Sequence, residues 1–284
     1  MAKVFVAGAT GLVGREVVGQ LREAGHRVTV LARDVSRAER LKAQGCEVLL
    51  GDVLAVPNLA EALRGCDAVV SCLGASVGLR WAGRAGFDAV DHRGNARLFQ
   101  VAREVGVPRA VYLGVFGEGA HADTRYVRAH AAVDGRLDAL QLSCTTVRPV
   151  GLFGAFDPFV AMARRGLAFM VGDGRAETNP VHPVEVARAM VDRLAAGPRF
   201  VDLGGPEVLS RRALVEMPFA LLKKRPRVVS VPAGLVGFEA RLLGPLHPRL
   251  SELLAFVASV SAHDCVAPRV GAARIEDWYR ARLA

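Results

Sequence analysis

Short apolar runs alternate with segments of helical periodicity along residues 1–205. Runs rich in β-prone residues are typical of strands that are covered on both faces. Such runs occur at residues 4–7, 26–32, 46–50, 67–73, 110–113, 145–149 and 199–203. Because apolar residues at helical spacing lie between them, the pattern predicts an α/β fold with a doubly wound parallel sheet.

The pattern changes after residue 206. Helices are predicted at 210–222, 235–243 and 250–260, with a strand-like segment at 227–231. The apolar stretch at 160–170 would add to the wall of a substrate pocket, and the alternative is an ordinary core helix. We therefore expect residues 1–150, with 178–205 returning to them, to form a Rossmann-like dinucleotide-binding core. Residues 151–177 and 206–284 would form a smaller, mostly helical substrate-binding part.

The alternation begins at a glycine-rich loop. The first strand stops at Gly8-Ala9-Thr10-Gly11-Leu12-Val13-Gly14, and helical spacing follows directly. Gly8 permits a tight turn, Gly11 removes a side chain where a pyrophosphate must approach, and Gly14 lets the helix pack close to the strand. A diphosphate would then lie on the unpaired N–H groups of the helix start. The stretch predicts a dinucleotide site rather than an ordinary strand-to-helix turn.

The end of the second strand indicates which dinucleotide is bound. A carboxylate at this place would accept a hydrogen bond from the ribose 2′-OH of NAD, whereas an arginine would pair with the 2′-phosphate of NADP. Both types occur here, as Arg33 and Asp34. Arg33 directly follows the apolar strand, and Arg37 lies one helical turn further on. We therefore expect NADP (NADPH) as the cofactor.

Composition and charge limit the other classes of function. The formal net charge of +9 raises the question of nucleic acid. Most of the excess is arginine spread along the chain, and the one dense run, at 223–227, fits a solvated helix end, so we do not predict nucleic-acid binding. No apolar run reaches the ~18 residues of a membrane span, and no signal peptide is predicted. Five scattered cysteines indicate neither disulfides nor a metal site, so a cytoplasmic location is predicted. Among them, Cys72 is expected to be a small buried hydrophobe.

Several motifs together resemble the short-chain dehydrogenase/reductase superfamily, and more narrowly its atypical, NmrA-like, NAD(P)-binding branch. They cover most of residues 1–205 and are the glycine loop, Gly51-Asp52-Val53 and the segments 106–113, 126–130, 145–149 and 179–183. By this resemblance Val150 and Gly151 would lie near the nicotinamide. The other residues that the resemblance places along the cofactor are Gly8, Thr10, Gly11, Leu12, Val13, Arg33, Asp52, Val53, Leu73 and Gly74.

The catalytic residues of the family match only in part. Members commonly use a tyrosine with a lysine four residues later, and a serine on the preceding strand. Hydride addition leaves an oxyanion that must be protonated, and a nearby cation lowers the phenol pKa from its usual ~10. This chain has Tyr126 followed by His130, with Leu113 and Gly114 where the serine is expected. Histidine is mostly neutral near pH 7, so Tyr126 is either a catalytic acid with weaker support or a residue that shapes the pocket.

The substrate side is predicted from aromatic and apolar residues. Phe153, Phe156 and Phe159 follow the sixth strand closely and would wall a substrate pocket, while His121 and Asp123 offer alternative acid–base groups in a nearby loop. The apolar tail helices would pack on the core, and the alternative is an exposed face that binds a membrane surface or a second copy in a homodimer.

These observations predict an enzyme. We expect an NADPH-dependent reductase acting on a small, mainly apolar carbonyl or enone compound. Two alternatives remain: a non-catalytic NADP-binding regulator or chaperone of the NmrA-like type, and a cofactor-retaining epimerase or isomerase.

Overall fold

A computed structural model describes residues 1–74, 88–117, 122 and 124–284. The predicted acid–base residues His121 and Asp123 lie outside the described residues. The strands are β1 Lys3–Ala7, β2 Arg27–Ala32, β3 Glu47–Leu50, β4 Ala68–Ser71, β5 Ala110–Leu113, β6 Cys144–Pro149, β7 Ala168–Val171, β8 Glu177–Thr178, β9 Phe200–Leu203, β10 Leu209–Ser210 and β11 Val228–Val231.

Helices follow most of these strands. A π-helical turn, Asp88–Arg93, precedes α4, and a 3-10 turn, Phe153–Phe156, precedes α6. The α-helices are α1 Leu12–Glu23, α2 Val35–Ala43, α3 Leu59–Leu63, α4 Gly94–Glu104, α5 Arg125–Ala139, α6 Asp157–Arg165, α7 Pro183–Val191, α8 Arg211–Leu221, α9 Ala233–Leu243, α10 Pro248–Ala262 and α11 Ile275–Leu283.

A seven-stranded sheet in the order β3-β2-β1-β4-β5-β6-β9 forms the centre, and all its paired strands are parallel. Strand β1 shows why the sheet forms here. Val4 and Val6 pack into the apolar cluster on one face, while Phe5 and Ala7 pack into the cluster on the other. An alternating strand buried on both sides needs helices on both faces. The predicted doubly wound fold is confirmed.

The smaller part of the molecule is mainly helical and contains two short sheets, β7 with β11 and β8 with β10. The stretch at 160–170, for which a core helix was the alternative to a pocket wall, is helical only as far as Arg165. Gly166, in the left-handed region with φ +81°, ends α6, and β7 follows with Phe169 exposed between the buried Ala168 and Met170. Helix α11 was not predicted at all. Among the described residues, no helix combines the length and apolar character needed to span a bilayer.

One buried amide joins the tail to the sheet. The Asn179 side chain donates to the carbonyls of Gly205 (3.2 Å) and Ala267 (2.8 Å) and accepts from the Ala267 N–H (2.9 Å). A Cβ on Gly205 would overlap the carbonyl oxygen of Pro180, so the segments already lie backbone against backbone. Asn179 therefore satisfies backbone groups that this close packing removes from water.

Replacing this amide tests that role. Asn179→Ala leaves the Ala267 N–H and two carbonyls buried without their partner, and a buried unsatisfied group costs ~1–3 kcal/mol. We expect the free energy of unfolding, measured with urea, to fall by about 3 kcal/mol. The control is Asn58→Ala, because Asn58 is exposed and its side chain makes no capping bond to α3. Equal effects of the two substitutions would contradict this interpretation.

Candidate functional site

The glycine loop lies where the order of the sheet reverses. The chain leaves β1 between β2 and β4, so the loop faces the crevice at the carboxyl ends of the strands, the usual place for a ligand in an open parallel sheet. Gly8 has φ +78°, and a Cβ there would overlap the carbonyl oxygen of Cys72 just after β4. A Cβ on Gly14 would overlap the Gly8 carbonyl. Packing alone therefore requires glycine at both positions.

Gly11 is glycine for a different reason. Its φ of −76° suits any residue, and an added Cβ would approach a single atom, the Gly8 oxygen, at 3.3 Å. Gly11 precedes α1 without a capping side chain, so the N–H groups of Leu12 and Val13 face the crevice without an intrahelical acceptor. The space that a side chain at residue 11 would occupy is a cradle of amides that fits a pyrophosphate.

The loop after β6 closes against this cradle. A Cβ on Gly154 would lie 2.6 Å from Leu12, so the segment following β6 packs on the start of α1. Val150 donates its N–H to Leu203, and the carbonyl of Gly151 accepts from Val181 at 2.8 Å. These bonds hold Val150 and Gly151 against the end of β9 and the segment before α7, and their place beside the nicotinamide stays a prediction.

The charged residues after β2 divide into two roles. Asp34 caps α2, since its Oδ1 accepts from the Arg37 N–H at 2.9 Å and from the Ser36 hydroxyl at 2.7 Å, and these bonds lower the pKa of the carboxyl. The Arg33 side chain is 67% exposed and lies 3.7 Å from a carboxylate oxygen of Asp52. Capping thus engages the carboxylate, and Arg33 keeps its guanidinium at the edge of the crevice.

Beyond β3 and β4 the predicted cofactor residues follow the same edge. Val53 is buried and its carbonyl accepts from Arg97. Leu73 is half-buried and Gly74 is exposed, and these two residues directly follow β4. A Cβ on Gly74 would lie 3.2 Å from a carboxylate oxygen of Asp91. We call Leu73 and Gly74 the β4 ledge.

Tyr126 lies in the first turn of α5, next to this edge. It is half-buried, and its ring packs edge-on against His130 (centroids 4.9 Å apart) and Phe256 of α10 (4.7 Å). The Val127 N–H donates to the Thr124 hydroxyl at 3.3 Å, which caps the helix just before Tyr126. The serine that family members carry here would have no room at residue 114, because a Cβ on Gly114 would lie 2.6 Å from the Thr146 side chain.

His130 does not face the crevice. The residue is 5% exposed, its Nδ1 is 2.5 Å from the Tyr112 hydroxyl, and its Nε2 is 3.5 Å from an oxygen of Asp91. Burial lowers the pKa of His130 to about 4, so the ring is neutral near pH 7. We assign Nδ1 as the acceptor of the Tyr112 proton. This arrangement differs from the expected donation to a ribose hydroxyl, and a catalytic role of His130 stays a prediction.

Sequence reasoning missed Tyr112 and Asp91, although both are buried beside His130. Burial and the two carboxylates of Asp91 and Asp134 raise the pKa of Tyr112 well above its usual value. The available signal was a polar hydroxyl inside a strand otherwise made of apolar residues. Cys72 lies near the ledge, but burial raises its thiol pKa to about 12, which fits an inert hydrophobe rather than a nucleophile.

The three phenylalanines differ from the predicted pocket wall. Phe153 and Phe156 are buried and pack with Leu214 and Tyr279 of the tail, and Phe159 is only partly buried at the same cluster. The reason is that α8 and α11 cover this loop and use its aromatic rings as their own core. A contact of these rings with substrate stays a prediction.

Two open depressions lie elsewhere on the surface. One, of about 220 Å³, lies between the π-helical turn, α5 and α10 and is lined in part by Asp88, Arg125 and Glu252. The other, of about 590 Å³, lies in the tail and is lined in part by Arg175 and Ser210. Neither is lined by the predicted cofactor residues.

Comparisons with known proteins give a family and a fold. A family model described as NAD(P)H-binding matches residues 8–196. A mitochondrial NADH dehydrogenase [ubiquinone] 1 alpha subcomplex subunit 9 from Arabidopsis thaliana is 28% identical over 247 residues, which are 82% of this chain and 60% of that protein. Photosystem II assembly factor Ycf39 from Guillardia theta is 23% identical over 265 residues, 91% of this chain and 83% of that protein. The chain thus spans about 60% of the length of the first of these relatives.

Solved structures extend the match over nearly the whole chain. An NADPH-dependent quinone oxidoreductase from Escherichia coli, complexed with NADPH, has a TM-score of 0.76 at 16% identity, covering 99% of this chain and 100% of that one. A Citrobacter triphenylmethane reductase complexed with NADP(H) has a TM-score of 0.75 at 18% identity, with the same coverage. At these identities the two structures establish the fold alone.

The cradle yields a direct prediction. Gly11→Ala should leave the melting temperature within a few degrees of the wild type, because the new methyl meets only one protein atom. It should weaken NADPH binding at least tenfold, because the methyl occupies the place of the pyrophosphate; tenfold is about 1.4 kcal/mol. Fluorescence titration with NADPH measures the affinity. The matched control is Gly19→Ala, whose Cβ meets nothing within 4 Å; wild-type affinity in Gly11→Ala would refute the cradle.

Proposed function

The chain belongs to the NAD(P)H-binding family, and we propose that it is an NADPH-dependent oxidoreductase of the atypical short-chain dehydrogenase/reductase branch. The observation that carries this proposal is the amide cradle around Gly11, at the point where the order of the sheet reverses. Tyr126 lies on α5, the helix after β5, and in the sheet only β4 separates β5 from β1. When bound, the cofactor supplies a hydride to the substrate. The remaining tasks belong to the chain's own residues.

Binding of the cofactor is divided among short segments of the core. The amides after Gly11 would hold the pyrophosphate, and Arg33 would pair with a 2′-phosphate, because Asp34 is engaged as a helix cap. Asp52, Val53 and the β4 ledge would line the adenosine and ribose. Residues 150–151 would line the nicotinamide. Residues 1–150 and 178–205 thus form the cofactor part of the proposed enzyme.

The tail would complete the substrate side. Helix α10 contacts the catalytic edge directly, since Phe256 packs on Tyr126 and Glu252 pairs with Arg125 at 3.1 Å. Phe256 covers one side of the Tyr126 ring, and the interior of the tail is apolar. We therefore assign residues 151–177 and 206–284 to substrate binding and expect an apolar substrate.

The acid available at the site limits the class of substrate. Hydride addition to an isolated ketone leaves an alkoxide, about as basic as hydroxide, with a conjugate-acid pKa of ~15.7. Hydride addition to a quinone leaves a phenolate, with a conjugate-acid pKa of ~10. The gap between these two pKa values corresponds to about 8 kcal/mol in the free energy of protonation. Because Gly114 leaves no room for the serine and neutral His130 replaces the lysine, this site suits quinones and other conjugated carbonyl compounds such as enones better than simple ketones.

A second candidate function rests on the same two departures from the family pattern, the missing serine and His130 in place of the lysine. A chain with no serine beside Tyr126 and no cation four residues later is also what a non-catalytic NADP-binding regulator or assembly factor would have. In that case cofactor binding would change the surface that a partner contacts. Tight NADPH binding without oxidation by any acceptor would favour this second function.

Cofactor choice can be tested at Arg33. Arg33→Ala should lower NADPH affinity at least tenfold and leave NADH affinity unchanged, because a charge-assisted pair with the 2′-phosphate is worth ~1.5–3 kcal/mol. Isothermal calorimetry with both nucleotides measures this. Arg40→Ala, which replaces an exposed arginine on the following helix α2, is the control. Equal affinity of the wild type for NADPH and NADH would contradict the proposed preference.

The substrate class can be tested by following NADPH oxidation at 340 nm with a quinone, an enone and a saturated ketone. We expect turnover with the first two and at least roughly tenfold less with the ketone. Tyr126→Phe should lower kcat at least about tenfold. Tyr279→Phe removes the same hydroxyl from a buried tyrosine in the tail, bonded to Leu214, and should leave kcat unchanged. An unchanged kcat in Tyr126→Phe would remove this phenol from the reaction.

A further inference from the structure

Polar side chains are concentrated in the interior directly below the β4 ledge. Ser71, Asp91, Asn95, Tyr112 and His130 are each at most 5% exposed. Burying polar groups costs free energy unless each finds a partner. Polar groups so close to a proposed cofactor edge therefore call for an explanation.

These groups form one chain of contacts. The Tyr112 hydroxyl bonds His130, and the imidazole Nε2 faces Asp91 at 3.5 Å. Asn95 donates to the carbonyl of Asp91 at 2.6 Å and accepts from the Ser71 hydroxyl. The chain thus links β5, α5, the π-helical turn, α4 and β4, in that order.

The chain of contacts ends on the backbone of the ledge. The Leu73 N–H donates to the Ser71 hydroxyl at 3.3 Å, and the Leu73 carbonyl accepts from Asn95 at 3.3 Å. One carboxylate oxygen of Asp91 lies 3.2 Å from the position a Cβ would take on Gly74. Both backbone groups of the first ledge residue are therefore fixed from below.

The imidazole at the other end also contacts the proposed acid. The His130 ring packs edge-on against Tyr126 and lies roughly parallel to the Tyr112 ring, with an interplanar angle of 29°. Displacing His130 would therefore disturb Tyr126 and the support of Asp91 together.

We propose that His130 and Asp91 are positioning residues that fix the β4 ledge for the cofactor and hold the Tyr126 ring in a fixed position beside the ledge. The inference rests on NAD(P)H binding and does not require the proposed reductase activity. The imidazole works as a neutral ring that accepts from Tyr112 and turns its Nε2 towards Asp91, 3.5 Å away. Its burial, which lowers its pKa to about 4, keeps it in that form at neutral pH.

The test compares two substitutions at the same position by NADPH fluorescence titration. His130→Leu has a similar apolar volume and removes both polar contacts, so we expect at least a fivefold loss of NADPH affinity. His130→Gln retains an N–H that can donate towards Asp91, so we expect affinity within twofold of the wild type. Recovery by the conservative variant is not expected from a residue that only adds stability.

A buried control separates positioning from general destabilisation. Thr145 is also fully buried, but its hydroxyl bonds Pro198 and Arg109 near the amino end of β6, away from the ledge. Thr145→Val should lower the melting temperature and leave NADPH affinity within twofold of the wild type. Wild-type affinity in folded His130→Leu, or an equal loss in Thr145→Val, would overturn the proposal.

Asp91→Asn covers the case in which His130→Leu does not fold. The substitution preserves volume and replaces the carboxyl group that faces the imidazole with an amide. We expect the same fivefold loss of NADPH affinity. A folded Asp91→Asn protein with wild-type affinity would also overturn the proposal. Loss of turnover with unchanged NADPH affinity would count against the positioning role and leave the proposed reductase function intact.

Discussion

The structure depends on a backbone-to-backbone contact at the first turn of the chain. Gly8 lies against the Cys72 carbonyl, and Gly14 lies against Gly8, with no space for a Cβ at either residue. This contact brings the start of α1 to the point where the sheet order reverses, so its unpaired amides face the crevice. A side chain at either position would separate α1 from β4, and the parallel sheet would lose the close packing of its most buried strand. Fold and ligand site therefore share one constraint.

The elements that could be predicted from sequence are those fixed by local chemistry. Strand β1 is a continuous apolar run, which is stable only when both of its faces are buried. Helices must therefore cover both faces of the sheet, which places β1 in its interior. For the stretch at 160–170, neither the pocket wall nor the alternative core helix included β7, because a short apolar run does not distinguish helix from strand. Gly166 ends the helix in a left-handed conformation, and β7 then pairs with β11, sixty residues later. Helix α11 was missed because its sequence is rich in charged residues and shows no clear apolar face. The face that it buries is recognised only from the contact of Tyr279 with α8.

The site shows the same division between local and distant contacts. The glycine loop and Arg33 could be identified because turn geometry and strand ends are visible in sequence. The role of Asp34 as the cap of α2 is also local, and it explains why two charged neighbours have different uses. By contrast, Phe153 looked like a pocket wall because an aromatic residue after a strand fits either a ligand or a core. Only the packing of the tail, more than fifty residues away in sequence, places it in the core.

The residue four positions after Tyr126 explains why the family's usual catalytic arrangement does not simply carry over. Helix α5 turns residue 130 towards β5, where Tyr112 fills the space and Asp91 closes it from the other side. A lysine there would have to place an ammonium group in a nearly closed interior, and desolvating a charge costs several kcal/mol unless it is fully paired. A neutral imidazole avoids that cost, because it can accept from one neighbour and donate to the other. The same substitution removes the cation that would have lowered the phenol pKa of Tyr126. The chain therefore combines a neutral imidazole below the ledge with a tyrosine that lacks this neighbouring cation, and in the proposed function this favours acceptors whose reduced form is a weak base.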